Sequence, residues 1–182
     1  MEKIIHGTPS GIDNTTCTFG NLLFYQKGKH RFLKVPLELN LLITYTNIEH
    51  NTKQAIEIVR KKKDDNPDDI EEIFKNFEKV ILSGEKALQN GDAKEIGLLM
   101  SDNQALLDTI GISNDIINKI IDIALKHGAY GSKLTGAGLG GCVISIGSKK
   151  KLEKISKILS KKGYESFITT IDREGVKIES SK

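Results

Sequence analysis

The sequence predicts an α+β domain of the ferredoxin-like, split-βαβ kind, and three observations carry that prediction. Residues 39–46 form a continuous apolar run with β-branched members, which reads as a strand. Four stretches with three-and-four apolar spacing follow between residues 51 and 128. The order then becomes strand, glycine loop, strand, helix, strand up to residue 171. From residue 39 the succession is β, helices, β, β, α, β, with additional helices in the first crossover.

Ahead of that body, residues 6–14 are rich in Gly, Pro, Ser and Asp and read as a loop entering a short helix. Residues 15–27 carry the β-formers Cys17, Thr18, Phe19, Leu22, Leu23, Phe24 and Tyr25 around Gly20-Asn21. Lys27-Gly28-Lys29 turns the chain into residues 31–35, so strands are expected here. The run at 39–46 has the character of a strand buried on both faces.

The first helix, residues 51–63, places Ala55, Ile56 and Val59 on one face. Arg60-Lys61-Lys62-Lys63-Asp64-Asp65 mixes both signs of charge and reads as a solvated turn. Asn66-Pro67-Asp68-Asp69 is a start signal: a cap, a proline in the first turn, then acids that complement the helix dipole. Ile70, Ile73, Phe74, Phe77, Val80 and Ile81 recur from there to Asn90-Gly91. Asp92 caps the third helix, whose stripe holds Ile96, Leu99, Met100, Leu106 and Leu107. Ser113 starts the fourth, with Ile116, Ile117, Ile120, Ile121 and Ala124 inward, and Lys126-His127-Gly128 ends it. Strands at 130–134 and 142–146 flank the glycine loop. Ser148 caps a last helix carrying Leu152, Ile155 and Leu159, Gly163 stops it, and 164–171 supply the last strand.

Composition excludes several classes. The 182 residues are 38% hydrophobic and 28% charged, a globular profile with enough chain for a core. No apolar run approaches the roughly 18–20 residues of a membrane span, and no signal peptide is found. Cys17 and Cys142 make no disulfide framework or metal spacing, which points to a reduced, cytoplasmic setting. A net charge of +3, 5% aromatics and no Trp argue against nucleic acid as partner.

Two segments carry chemistry. Gly136-Ala137-Gly138-Leu139-Gly140-Gly141 holds four glycines in six residues, an entropic cost that calls for positive φ or close backbone approach. Successive N–H groups of such a loop can form a nest for an anion, typically a phosphate; the plain alternative is a tight hairpin with no ligand. A strand, not a helix, follows the loop, so a dinucleotide fingerprint does not fit, and no Walker A motif occurs. In the second segment, His6 to Asn14, Asp13 follows the apolar anchor Ile12 near a helix start. A carboxylate there could take a hydroxyl proton, or it could be an ordinary cap. His6 reads as a structural hydrogen-bonder, and Ser10 lacks both the G-x-S-x-G setting and an identifiable base.

Together, the run from His6 to Asn14 and the run Lys133-Leu134-Thr135-Gly136-Ala137-Gly138-Leu139-Gly140-Gly141-Cys142 resemble the mevalonate kinases of the GHMP small-molecule kinase family. Thr46 and Asn51-Thr52 fall where that family carries an N-T pair opening a helix. The resemblance implies ATP-dependent phosphorylation of mevalonate, with ATP and Mg²⁺ as cofactors. It implies Asp13 as proton acceptor, Glu2 as Mg²⁺ ligand, and Gly136, Ala137, Gly138, Gly140 and Gly141 beside the phosphates. Thr52 and Ser10 would stand near the substrate in supporting roles. Residues 1–36 would be a remnant of the GHMP N-terminal domain, its catalytic loop and strands, and 37–182 the GHMP C-terminal domain.

Family members carry a lysine partner for the aspartate, a P-x-x-x-G-L-G-S-S-A loop and a second metal ligand in an N-terminal half, and none is found here. The chain is therefore expected to be a C-terminal portion with negligible activity alone, to depend on the missing half as partner, and to expose apolar strand surface that favours aggregation or homodimers. The alternatives are another GHMP kinase, of the phosphomevalonate or homoserine type, or a ligand-binding module that has lost catalysis.

Overall fold

The computed structural model describes residues 11–36, 38–49 and 51–177. The first element is a helix, α1 (Ile12–Phe19), where strand had been expected over Thr15–Phe19. The threonines are accommodated in the helix by turning their hydroxyls onto its backbone. Thr15 Oγ1 donates to the Gly11 carbonyl at 2.6 Å and Thr16 Oγ1 to the Ile12 carbonyl at 2.9 Å, so each hydroxyl bonds back one turn within the helix. Gly20, at φ 61°, ends it.

The expected hairpin follows as β1 (Leu23–Gln26) and β2 (Lys29–Phe32), paired Leu23 to Phe32 and Gln26 to Lys29. Lys27 and Gly28 both have positive φ (49° and 79°), the two-residue turn whose twist matches that of the strands. Among the described residues the pair joins no other strand, and Phe19 and Phe32 stay 44% and 54% exposed. Arg31 fastens it to the body by donating to Glu85 at 2.7 Å, while its guanidinium stacks 4.4 Å over the Phe24 ring within the hairpin. The chain's far end also meets this region. Asn21 donates its N–H to the Asp172 carbonyl at 2.7 Å and its side-chain amide to the Arg173 carbonyl at 2.6 Å.

The body is the predicted split-βαβ arrangement. Strands β3 (Leu41–Tyr45), β4 (Gly131–Thr135), β5 (Cys142–Ile146) and β6 (Ser166–Thr169) form one antiparallel sheet in the order β4-β5-β3-β6. Ile43 lies opposite both Ile144 and Phe167. The first crossover holds α2 (Thr52–Asp65), α3 (Pro67–Asn90), α4 (Ala93–Thr109) and α5 (Asp115–Lys126), and the second holds α6 (Lys149–Ser160).

Strand β3 is not buried on both faces as expected: Leu42 and Thr44 are buried, whereas Tyr45 is exposed. The main core lies on the Leu42 side. There Leu134 and Val143 of the sheet meet Ile117, Ile120 and Ala124 of α5 and Leu152, Ile155 and Leu159 of α6. Each such fully buried Leu or Ile contributes about 1.5–3 kcal/mol. A second cluster joins Leu39, Ala87, Ile96 and Ile146. At its edge α4 crosses β4 backbone to backbone, since a Cβ on Gly97 would strike the Tyr130 carbonyl and one on Gly131 would strike Gly97.

The third cluster is small and lies nearest the glycine loop. Ala55 of α2, Ile70 of α3 and the turn residues Ile110 and Ile112 are buried together, with Ala137 and Leu139 of the loop packed on them. The inward stripes of α2 and α3 are narrower than their sequence periodicity: Ile56, Phe74 and Ile81 are 53%, 44% and 50% exposed. The cap of α5 also shifts by one residue, from Ser113 to Asn114, whose Oδ1 accepts the N–H groups of Ile116 and Ile117, both at 3.0 Å. Among the described residues no helix is long and apolar enough to cross a membrane.

Candidate phosphate-binding site

The glycine loop joins antiparallel neighbours β4 and β5, and two separate segments hold it. On one side Leu139 donates its N–H to the Ile112 carbonyl at 2.8 Å and accepts the Asn114 side-chain amide at 3.0 Å. On the other, Gly141 donates its N–H to the Ile48 carbonyl at 2.8 Å. Its own carbonyl accepts two bonds from Thr46, from the N–H at 2.9 Å and from Oγ1 at 2.8 Å. Thr46 is 1% exposed, so this junction is dry.

Such anchoring explains the glycines individually. Gly136, Gly138 and Gly141 have φ of 82°, 92° and 77°. A Cβ on Gly138 would also strike Ile112. Gly140 is needed for proximity, because a Cβ there would lie 2.7 Å from the Ile48 carbonyl oxygen and 2.8 Å from that of Glu49. Leu139 adopts φ 62°, a costly conformation for a residue with a side chain, and its bonds to Ile112 and Asn114 hold it there.

With Leu139 and Gly141 committed, no backbone carbonyl among the described residues receives the N–H groups of Gly136, Ala137, Gly138 or Gly140. Space is open beside Gly136, where a Cβ would meet nothing within 4 Å. A short run of free amides on a rigid turn fits an oxyanion such as a phosphate. The loop also borders a cavity of about 450 Å³, lined by Ala137, Ile112, Ala55, Val59 and Phe74 with Arg60 and Lys63 among its residues.

The structure brings the loop together with the start of α2. Thr52 is the exposed first residue of that helix, three positions beyond Glu49, and Asn51 caps it by accepting the Gln54 N–H at 3.0 Å. Asp13 is the second residue of α1 and is exposed; no hydrogen bond or ring contact among the described residues joins it to the loop. Glu2, His6 and Ser10 lie outside the described residues. Among the described residues no group of three or more His, Cys, Asp and Glu side chains gathers as a metal site. An Mg²⁺ ion held through one or two carboxylates and phosphate oxygens requires no such cage.

Lys133 lies on β4, two residues before Thr135. It is half-buried, its Nζ donates to the Leu134 carbonyl at 2.7 Å, and burial pushes its pKa down to about 8. Asn114 and Ile112 were missed as loop partners, since they stand 25 or more residues away in the chain.

The family described as "GHMP kinases C terminal" matches residues 85–165. A mevalonate kinase of Pyrococcus furiosus is 36% identical over 98% of this chain and 54% of its own length. The L. major mevalonate kinase, solved in complex with R-mevalonate, superposes with a TM-score of 0.85 at 31% identity over 93% of this chain and 54% of that one. A homoserine kinase from Cytophaga hutchinsonii superposes at 0.76 with 19% identity over 96% of this chain and 56% of that one, a likeness of fold alone. The chain spans about half the length of the curated relatives it matches. Residues 85–165 match the C-terminal domain of the GHMP kinases, and over nearly its whole length the chain resembles the mevalonate kinases of that family.

Proposed function

We propose that this chain is the C-terminal portion of an ATP-dependent mevalonate kinase acting in the cytoplasm, and that the complete enzyme transfers the γ-phosphoryl group of ATP to the primary hydroxyl of mevalonate. The observation that carries this reading is likeness to mevalonate kinases at 36% identity along 98% of the chain, well above the 19% of the homoserine kinase.

In this reading the free amides of Gly136, Ala137 and Gly138 face phosphate oxygens, and the Thr46 and Asn114 anchors keep them aimed without reorganisation. Asp13 accepts the hydroxyl proton as the new O–P bond forms and the bond from the γ-phosphorus to the bridging oxygen breaks to release ADP, while Thr52 and Ser10 help to place the alcohol. Glu2 is the residue that would hold Mg²⁺, which supplies charge neutralisation at the phosphates. Residues 1–36 belong to the N-terminal domain of the complete kinase and 37–182 form its C-terminal domain. The exposed Phe32 then belongs to a sheet completed by the other half, with the exposed Phe19 of α1 against its ring, and self-association is the fate of this surface without it.

The test is an assay of the purified chain with ATP, Mg²⁺ and mevalonate, alone and with the N-terminal half of a full-length relative added. Negligible turnover alone and phosphomevalonate formation on mixing are expected. Multiple turnovers by the chain alone would overturn its incompleteness. A mixed enzyme that prefers homoserine or phosphomevalonate would overturn the substrate assignment.

A further inference from the structure

Gln104 is 6% exposed on α4, away from the residues assigned to the site, and both ends of its side-chain amide are used. Its oxygen accepts the Leu134 N–H at 2.9 Å, and its nitrogen donates to Ser113 Oγ at 3.0 Å. Ser113 Oγ in turn donates to Asn118 Oδ1 at 2.7 Å, and Asn118 donates to Asp108 Oδ1 at 3.1 Å. β4 is an outer strand of the sheet, so Gln104 supplies an acceptor that no neighbouring strand provides.

Each end leads to the glycine loop. Leu134 stands two residues before Gly136, on the strand that feeds the loop. Ser113 lies between Ile112, whose carbonyl takes the Leu139 N–H, and Asn114, whose amide holds the Leu139 carbonyl. We propose that Gln104 is a positioning residue for the glycine loop: one buried amide ties the incoming strand to the 112–114 segment that grips the loop at Leu139. Inside a low-dielectric site both bonds are strong, and losing either leaves a buried partner unpaired. Its consequence for catalysis rests on the phosphate-binding reading; its consequence for loop order does not.

The experiment compares amide hydrogen exchange by NMR in the chain and in Gln104→Leu, which keeps the volume and removes both bonds. Exchange at Leu134 and Leu139 is expected to rise about 100-fold while Val143 and Leu152 keep their rates. Acceleration at Leu134 alone would reduce Gln104 to an edge cap and overturn the proposal, as would equal acceleration everywhere. Should that variant not fold, Ser113→Ala spares the Leu134 bond and cuts the route to the loop, together with the Ser113–Asn118 bond. Faster exchange at Leu139 supports the proposal there, and an unchanged rate overturns it. With the N-terminal half supplied, Gln104→Leu is expected to raise KM for ATP about tenfold and leave KM for mevalonate unchanged. A fall in kcat with both KM values intact would indicate only lost folded enzyme and overturn positioning. A wild-type mixture that phosphorylates nothing would sink the kinase reading, while the exchange result would still decide the role of Gln104.

Discussion

Thr46 grasps Gly141 twice, the side-chain hydroxyl and the backbone N–H of one residue converging on a single carbonyl at 2.8 and 2.9 Å. The pair sits where β3 ends and β5 begins, so it fixes the C-terminal stem of the loop against the segment that leads into α2. Thr46→Val keeps the shape and removes one of the two donors. The buried carbonyl retains its other bond, so a loss of about 1–2 kcal/mol is expected, read as a lowered urea midpoint at constant slope. No change in the midpoint would mean the hydroxyl is dispensable.

Two glycines of the loop should respond to alanine in opposite ways to what their φ angles suggest. Gly136 has φ 82° but open surroundings, so Gly136→Ala should cost only about 1 kcal/mol, the penalty of a left-handed alanine. Gly140 lacks a positive φ, yet its Cβ would press on two carbonyl oxygens, and Gly140→Ala should cost more, about 2–4 kcal/mol. Parallel thermal melts would check the order, and a milder effect at 140 would contradict the packing described here.

Asp13→Asn separates catalysis from folding. The side chain is exposed on the first turn of α1, so the melting temperature of the chain should move little. In the completed enzyme kcat should drop by about two to four orders of magnitude, with KM for ATP nearly unchanged. An intact kcat would reduce Asp13 to a helix-start acid.

Lys133 predicts a pH dependence of stability. The unfolded chain holds the ammonium proton up to the ordinary value of 10.5, whereas the folded chain releases it near 8. Between these values the unfolded state binds more protons, so this residue makes stability rise as pH increases from about 8 towards 10. Lys133→Met removes that contribution and should be stabilising below pH 8. Urea midpoints at pH 7 and 9.5 for both proteins would test it, and parallel pH trends would count against burial of the charge.

Local periodicity was sufficient for the order of the body, because Ile117, Ile120 and Ala124, or Leu152, Ile155 and Leu159, recur at helical spacing and do face the sheet. It misled where a local bond or a neighbour's width decides the outcome. Thr15 and Thr16 look like strand residues until their hydroxyls turn back onto Gly11 and Ile12. Phe74 and Ile81 continue the stripe of α3 but fall outside the strip its neighbours cover. The glycine loop was legible from composition alone. Its anchors were not, since Thr46 meets Gly141 across 95 positions and Asn114 meets Leu139 across 25.

The bonds from Asn21 to Asp172 and Arg173, with Val176 donating to Thr18 at 3.3 Å, make the described chain mechanically a closed circuit. Tension applied at residue 177 is borne first by this latch and only afterwards by β6. The orientation of the hairpin is therefore inherited from residues 172–176 as much as from its own strands, and a cut after residue 171 would slacken the front of the molecule while sparing the sheet.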